Sequence, residues 1–356
     1  FFLLIMYSGF AAFSDKAPLT SYKYTPIPLH AEEVEIKIEC CGVCHSDIHS
    51  VDNDWKTSKY PLVPGHEVIG TISRVGEKVV GLRFGQRVGV GPQVGSCGKC
   101  QWCTSNEETW CRGFREIYNS RTGNPMQPYT HGGLATFTRA HFKWAVPIPD
   151  SLDSETAAPL LCAGVTVWAP FFNNTLPENA VVGVVGMGGL GHLALQFGVK
   201  LQHNVWAISR SADKEAEAKH FGAKFLNSSD KSAMKQHRGK FDFLLSTVSS
   251  EKAPWNQYLS LLKKNGTMCL VGLPPKMTIS PAYLASGRVK LTGSILANRQ
   301  QIADMMAFAA KHKVRAMVEV LPFSADNVNI AFDKVRNNEA RYRMVLTHKQ
   351  VGTAKL

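Results

Sequence analysis

The chain has 356 residues, 44% apolar and 19% charged, a composition ordinary for a globular protein and a length too great for one average core. Two domains are therefore expected, and no apolar run reaches the roughly 18 residues that a membrane span needs. The net charge of +12 raises the question of nucleic acid, but the lysines and arginines are scattered without a basic run, so neither a nucleic acid nor a membrane is expected as partner.

Phe1 to Met6 is apolar, yet it lacks a basic leader and a cleavage site; it reads as non-targeting, with Met6 as the candidate native start. Nine cysteines and no secretory signal argue for a reducing compartment, the cytoplasm, and for metal ligation rather than disulfides. Alternation of apolar residues with Glu35 and Lys37 over 34–38 predicts a half-buried strand leading into Cys40 and Cys41. There follow Cys41-Gly-Val-Cys-His-Ser-Asp-Ile-His49 and Pro64-Gly-His-Glu67. A thiolate at Cys44 and an imidazole at His66 form the donor mixture that Zn²⁺ accepts. A catalytic zinc takes three protein donors and leaves one position open, so a distant segment should supply another. Cys162, in Pro159-Leu-Leu-Cys-Ala-Gly-Val-Thr166, is the candidate; the plainer alternative is that these cysteines are small buried hydrophobes.

Short glycine-punctuated strands are predicted at 68–75, 85–90 and 133–138, making the first 150 residues mostly β. Among them, Cys97-Gly-Lys-Cys100-Gln-Trp-Cys103 followed by Cys111 can close an all-sulfur tetrahedron with no open position, a structural zinc signature. An iron–sulfur cluster would also accept four cysteines. Four plus two ligand thiols leave Cys40, Cys41 and Cys269 free.

After Pro147-Ile-Pro149 the pattern changes. Residues 180–185 form a continuous apolar run, the mark of a buried parallel strand, and enter Gly186-Met-Gly188-Gly-Leu-Gly191 before a helical stretch at 192–201. In that context the first glycine makes the turn, the second admits a pyrophosphate and the third lets helix and strand close up. The next strand, 204–209, ends in Ser209-Arg210-Ser211 with Lys214 beyond, where an NAD-binding chain would carry a carboxylate. A 2′-phosphate, and so NADP(H), suits the hydroxyls and the guanidinium, with Asp213 placed at the start of the following helix. Helices at 215–221 and 255–262 alternate with strands at 241–247, 266–271 and 289–294, which specifies a doubly wound parallel sheet. A helix at 300–311 and a strand at 342–347 complete the chain.

With these residues assembled, the chain resembles the zinc-dependent medium-chain alcohol dehydrogenases, and within them the cinnamyl alcohol dehydrogenase-like branch of NADP-dependent aldehyde reductases. The likeness runs from about Tyr7 to Thr347 and includes Tyr60-Pro-Leu-Val-Pro-Gly-His-Glu67, Ala158-Pro-Leu-Leu-Cys-Ala-Gly-Val-Thr166, Tyr258-Leu-Ser-Leu-Leu-Lys263 and Arg341-Tyr-Arg-Met-Val345. It implies an α/β protein: a GroES-like, mostly-β catalytic domain of residues 1–152 and 293–356, with a Rossmann domain of residues 153–292 between them. It implies two zinc ions per chain, NADP(H) and a homodimer. Cys44, His66 and Cys162 would hold the catalytic zinc, with Glu67 nearby as an alternating ligand; Cys97, Cys100, Cys103 and Cys111 would hold the structural one. Asp47 would hydrogen-bond His66, and Ser46 would relay a proton from His49.

The cofactor would be contacted by His45, Thr166, Gly186, Gly188, Gly189, Leu190 and Gly191, by Ser209, Arg210, Ser211 and Lys214, and by Thr247, Gly272, Ser294, Ile295 and Arg343. Trp55, Glu116 and Ile295 would line the substrate pocket; Glu116 and Ile295 stand where lignin-pathway members carry large aromatics, so a broad range of aldehydes is expected rather than cinnamyl substrates alone. Two alternatives stay open: an NAD-linked primary alcohol dehydrogenase and a non-enzymatic NADPH-binding module.

Overall fold

The structure, a computed structural model, describes residues 6–349, so residues 1–5 lie outside the described part. It divides into two compact units, one comprising Phe1–Cys162, Asn298–Lys311 and Arg315–Leu356, the other Ala163–Ala297 and His312–Val314. Among the described residues no single helix is long and apolar enough to cross a membrane.

The first unit is built on a seven-stranded sheet whose central strand is Glu33–Val43. Antiparallel to it on one side runs Glu67–Val75, followed by Arg87–Val90 and Val146–Pro147; on the other runs Arg343–Thr347, followed by Val318–Pro322. Phe137–His141 pairs with the first half of the central strand. The inward residues Val34, Ile36, Val68, Ile72, Val88 and Leu346 form one buried apolar cluster, which is why the register is fixed: a one-residue slip would turn them all outward. The central strand is longer than its alternation suggests, so Cys40 and Cys41 lie within it as buried side chains. The strand predicted at 133–138 is displaced to Phe137–His141 because the glycine pair before it packs on other backbone. Gly133 donates its N–H to the Gly65 carbonyl at 2.7 Å, and a Cβ there would come within 2.1 Å of the Val68 side chain.

Two helices of this unit matter for the site. His45–Val51 starts directly after the central strand, and the Asp47 carboxylate accepts the Cys44 N–H at 3.0 Å, a capping arrangement that sets where the helix begins. Ala325–Arg336 is capped by Ser324, whose hydroxyl accepts the Asn327 N–H at 3.3 Å, and it buries Val328, Ala331, Phe332 and Val335.

The second unit is a six-stranded, wholly parallel sheet in the spatial order Lys224–Asn227, Asn204–Ser209, Val181–Val185, Phe241–Ser246, Leu262–Leu270, Lys290–Gly293. The first three run backwards through the sequence and the last three forwards, the Rossmann order with its reversal beside the glycine motif. The strand Lys224–Asn227 and the helix Lys231–Gln236 supply the element that the sequence reading lacks between 221 and 241. Trp255, Phe241, Leu244 and Met268 centre the core of this unit.

Candidate active site

Three separate chain segments bring their donors together. Cys44 closes the central strand, His66 immediately precedes Glu67–Val75, and Cys162 follows the short turn Ala158–Leu161. The donor atoms of Cys44, His66, Glu67 and Cys162 all lie within 4.8 Å of one another. His66 Nε2 is 3.3 Å from Cys162 Sγ, close to the roughly 3.5 Å that a tetrahedral zinc with its usual bond lengths would impose. The donor set, two thiols and an imidazole with a carboxylate beside them, fits Zn²⁺.

Asp47, fully buried, organises this centre. Its carboxylate accepts the N–H of Gly65 at 2.9 Å and of Cys44 at 3.0 Å, and one oxygen lies 2.8 Å from His66 Nδ1. The Nδ1 proton of His66 is thus held by Asp47, and Nε2 faces Cys162. Burial pulls His66 down, but the Asp47 charge and hydrogen bond carry it well above the ordinary imidazole value. Tyr118 adds a hydroxyl 3.4 Å from the same Nδ1 and 3.4 Å from Ser50 Oγ. Cys44 and Cys162 share a hydrogen bond that holds the Cys44 thiol well below its usual range and raises that of Cys162. Asp47→Asn keeps the shape but weakens the grip on the imidazole proton. It is expected to cost roughly 10–100-fold in zinc affinity or turnover, read by zinc retention against a chelator.

Glu67 and Arg343 form a buried ion pair, 0% and 4% exposed, from strands on either side of the central one. Gly42 lies between them: a Cβ there would fall 2.0 Å from Glu67 Oε2. Burial pushes Glu67 up to about 7, with Arg343 pulling it back. Arg343, expected from the resemblance among the cofactor contacts, has its guanidinium on Glu67.

Ser46 Oγ is 3.8 Å from Cys44 Sγ, while His45 is exposed on the first turn of the helix. His49, one turn on, places Nδ1 2.8 Å from Asp54 Oδ2, a partner that no motif announced. Trp55, 49% exposed, has its ring 5.3 Å from that of His49. Glu116 is exposed on the short strand Arg115–Glu116.

The four remaining motif cysteines also converge. Sγ separations are 3.7 Å for Cys100 with Cys103 and with Cys111, and 3.9 Å for Cys97 with Cys103. A tetrahedral zinc with bonds of about 2.3 Å sets its sulfurs about 3.8 Å apart, whereas a disulfide would need about 2.05 Å and a cluster of several irons would spread them further. Cys111 Sγ accepts N–H groups from Cys97 and Gly113 at 3.4 and 3.2 Å. Backbone donors at Lys99 and Cys100 bring the Cys97 thiol down to about 6.

In the second unit the glycine turn has the shape of a dinucleotide cradle. Gly186 has φ +92°, and a Cβ there would meet Thr247 Oγ1 at 2.7 Å; one on Gly191 would come 2.0 Å from the Gly186 carbonyl. Gly188 has open space where its side chain would be. Gly189 and Leu190 follow in the turn leading to the helix Gly191–Lys200. Gly272 packs against the Val248 backbone and Thr247 Oγ1 donates to the Val185 carbonyl at 3.1 Å, closing the far side. Ser209 is buried at the end of its strand, Arg210 and Ser211 are exposed, and Lys214 Nζ donates to the Met187 carbonyl of the turn at 2.6 Å. Asp213 sits in the turn Ala212–Lys214 ahead of the helix Glu215–His220. Thr166 is buried in the helix Ala163–Asn173, Ser294 is half-buried and Ile295 45% exposed.

Residues 30–150 match the alcohol dehydrogenase GroES-like domain, and residues 189–311 match the zinc-binding dehydrogenase family. Cinnamyl alcohol dehydrogenase 2 of Arabidopsis thaliana is 37% identical over 95% of this chain and 90% of its own. The chain is a zinc-dependent alcohol dehydrogenase of the medium-chain family. Another family relative, the probable formaldehyde dehydrogenase AdhA of Bacillus subtilis, is 39% identical over 89% of this chain and 90% of its own. The structure of a cinnamyl alcohol dehydrogenase from Sorghum bicolor matches with a TM-score of 0.90 at 33% identity, covering 99% of this chain and 100% of that one. CAD from Helicobacter pylori, solved complexed with NADP(H), matches with a TM-score of 0.89 at 29% identity over 98% of this chain and 99% of that one. Within this family the first unit is the GroES-like one and the second the Rossmann one.

Proposed function

We propose that this dehydrogenase is a broad-range aldehyde reductase that uses NADPH, with Cys44, His66 and Cys162 holding its catalytic zinc, Glu67 beside it, and Cys97, Cys100, Cys103 and Cys111 holding a structural one. The convergence of those three donors on one point, with His66 fixed by Asp47, is the observation that carries the reading. Zinc bound there supplies a Lewis acid for the aldehyde oxygen, and NADPH supplies the hydride. Asp47 keeps the imidazole in the tautomer that leaves Nε2 free to ligate. Arg343 balances the buried Glu67 charge next to two thiols. Ser46, beside the ligand Cys44, hands a proton to the product oxygen, and His49, oriented by Asp54 and open to solvent, replenishes it. Trp55 and Glu116 border the substrate on the first unit. The enzyme works as a homodimer in the cytoplasm, to be checked by light scattering and cell fractionation. Metal analysis together with NADPH oxidation across a panel of aldehydes tests the whole reading; a zinc-free active protein or a panel with no turnover would end it.

Cofactor choice is assigned to Ser209, Arg210, Ser211 and Lys214. Arg210 can donate two charge-assisted hydrogen bonds to a 2′-phosphate, and no carboxylate occupies the end of the strand Asn204–Ser209 to repel one. If each such bond contributes ~1.5–3 kcal/mol, Ser209→Asp combined with Arg210→Ile should weaken NADPH about ten- to a hundredfold and move preference to NADH. Wild-type enzyme with a higher kcat/KM for NADH than for NADPH would instead favour an NAD-linked alcohol dehydrogenase.

A further inference from the structure

The helix that carries Ser46, Asp47 and His49, His45–Val51, has only seven residues, and a helix that short does not hold its shape alone. Its first turn is tied down by the Asp47 carboxylate, which accepts the N–H groups of Cys44 and Gly65. Its last turn depends on other parts of the chain. The Val51 carbonyl accepts the Tyr60 hydroxyl at 2.8 Å and the Lys16 N–H at 3.1 Å, and the Ser50 carbonyl accepts the Ser58 hydroxyl. Asp52, which caps that turn, works against it, because a carboxylate at the carbonyl end of a helix faces partial charge of its own sign.

Arg336 meets that charge. It is the last residue of the helix Ala325–Arg336, whose Val328, Phe332 and Val335 share an apolar cluster with Ile48 and Val51. The two helices meet at their carbonyl ends, and the guanidinium stands between them: Nη2 donates to Asp52 Oδ1 at 3.0 Å, Nε to Asp52 Oδ2 at 3.3 Å and Nη1 to Asp333 Oδ1 at 2.8 Å. A basic residue at a helix C-terminus can serve its own dipole alone, which asks for no partner on another element. Here both oxygens of Asp52 are taken by one fork, and the Asp52 side chain is only 13% exposed. That two-point geometry sets the pair apart from an ordinary surface ion pair. Lys334, the other basic residue of the same last turn, is committed to Glu319. Beyond the cap the chain turns back on the helix: the Asp52 N–H donates to the Ile48 carbonyl at 2.8 Å and the Asp54 N–H to the His49 carbonyl at 2.9 Å, which brings the Asp54 carboxylate to His49 Nδ1.

We infer that Arg336 is a positioning residue for the proton path: by clamping Asp52 it fixes the last turn of the helix, and with it the His49–Asp54 pair. Without the guanidinium, Asp52, Asp333 and two helix carbonyl ends face one another with no cation between them, and the turn loosens to relieve the repulsion. The link to turnover rests on the proposed role of His49; the clamp does not, and residue-resolved amide exchange of the zinc-loaded enzyme reads it without turnover. Arg336→Met is expected to speed exchange at the Asp52 and Asp54 amides by about fivefold or more and to leave the Cys44 amide, at the other end of the helix, unchanged. Arg336→Lys keeps a cation but not the fork and should fall between. Asp52→Asn added to Arg336→Met removes the repulsion and should return both amides to within about twofold of wild type. In aldehyde reduction Arg336→Met should lower kcat about two- to fivefold, no more than His49→Gln does, with zinc content and the KM for NADPH unchanged, and it should add nothing in a His49→Gln background. Exchange at Asp52 and Asp54 that is unaffected by Arg336→Met, or that Asp52→Asn does not slow again, would overturn the clamp. Faster exchange with wild-type kcat, in an enzyme that His49→Gln does impair, would overturn its link to the proton path. A His49→Gln enzyme as fast as wild type would instead remove His49 from that path and leave the clamp standing.

Discussion

Cys100→Ala is expected to lower the thermal midpoint steeply, while Cys44→Ala leaves a folded protein without turnover. The difference lies in what surrounds each thiol. The segment around Cys100 has almost no core of its own: its one-turn helix Gln101–Thr104 buries no residue, and Trp102 and Trp110 are exposed. Apart from Glu108, which is buried and tied to Arg299 and Gln93, that segment is held by the meeting of four sulfurs, and where a closed zinc site replaces a core, metal binding is folding free energy. Loss of a structural metal is among the few single changes that cost more than about 4 kcal/mol. Cys44 sits at the junction of an eleven-residue strand and a capped helix, with apolar neighbours that remain when its sulfur is removed. Scanning calorimetry and zinc content per chain check both outcomes. Wild type should carry about two zinc ions and each variant about one; a wild type with one or none would refute the pairing of roles.

Ser46→Ala is expected to depress turnover by roughly 10²–10⁴, the range of a general acid–base step, with little change in stability. Ser46 is half-buried and its hydroxyl lies 3.8 Å from Cys44 Sγ, the position from which the proposed mechanism has it protonate the product oxygen. Ser46→Thr keeps a hydroxyl in place and should keep most activity. His49→Gln should be milder, because the His49 side chain is 42% exposed and water can take over its exchange with solvent. Steady-state rates from pH 6 to 9 decide the matter; Ser46→Ala matching wild type throughout would remove Ser46 from the proton path.

The residue types at the site and the alternation of the second unit were legible in the sequence because both are local signals. Gly186, Gly188 and Gly191 announce themselves by spacing, as do the four cysteines from Cys97 to Cys111. What stayed hidden was pairing at long range. Nothing near Glu67 points to Arg343, and nothing in Tyr118 or Asp54 marks them as neighbours of His66 and His49. Lys224–Asn227 is too short to show a period. The helix Ala325–Arg336 is a different case: Val328, Ala331, Phe332 and Val335 follow the i, i+3, i+4, i+7 rule after a capping Ser324, a signal that could have been read. The displaced strand at Phe137–His141 reflects a tertiary demand, glycines pressed against backbone, that overrides local preference.

The register of the central sheet has a consequence for biosynthesis. Cys41 pairs with Leu346 and Val43 with Met344, so a strand made among the first residues waits for one made among the last. At roughly 5–20 residues per second that wait lasts tens of seconds, during which residues 163–297, the main run of the second unit, are made. Throughout it, the edge of Glu33–Val43 that Arg343–Thr347 will cover offers unpaired N–H and carbonyl groups to any passing strand, the exposure from which nascent chains aggregate. Glu67 meanwhile has no guanidinium to balance it. A messenger truncated just before the codon for Arg343 would thus yield a polypeptide with every proposed zinc donor present and yet with an open sheet edge and an uncompensated carboxylate at its heart, a substrate for chaperones and proteases rather than a metalloenzyme.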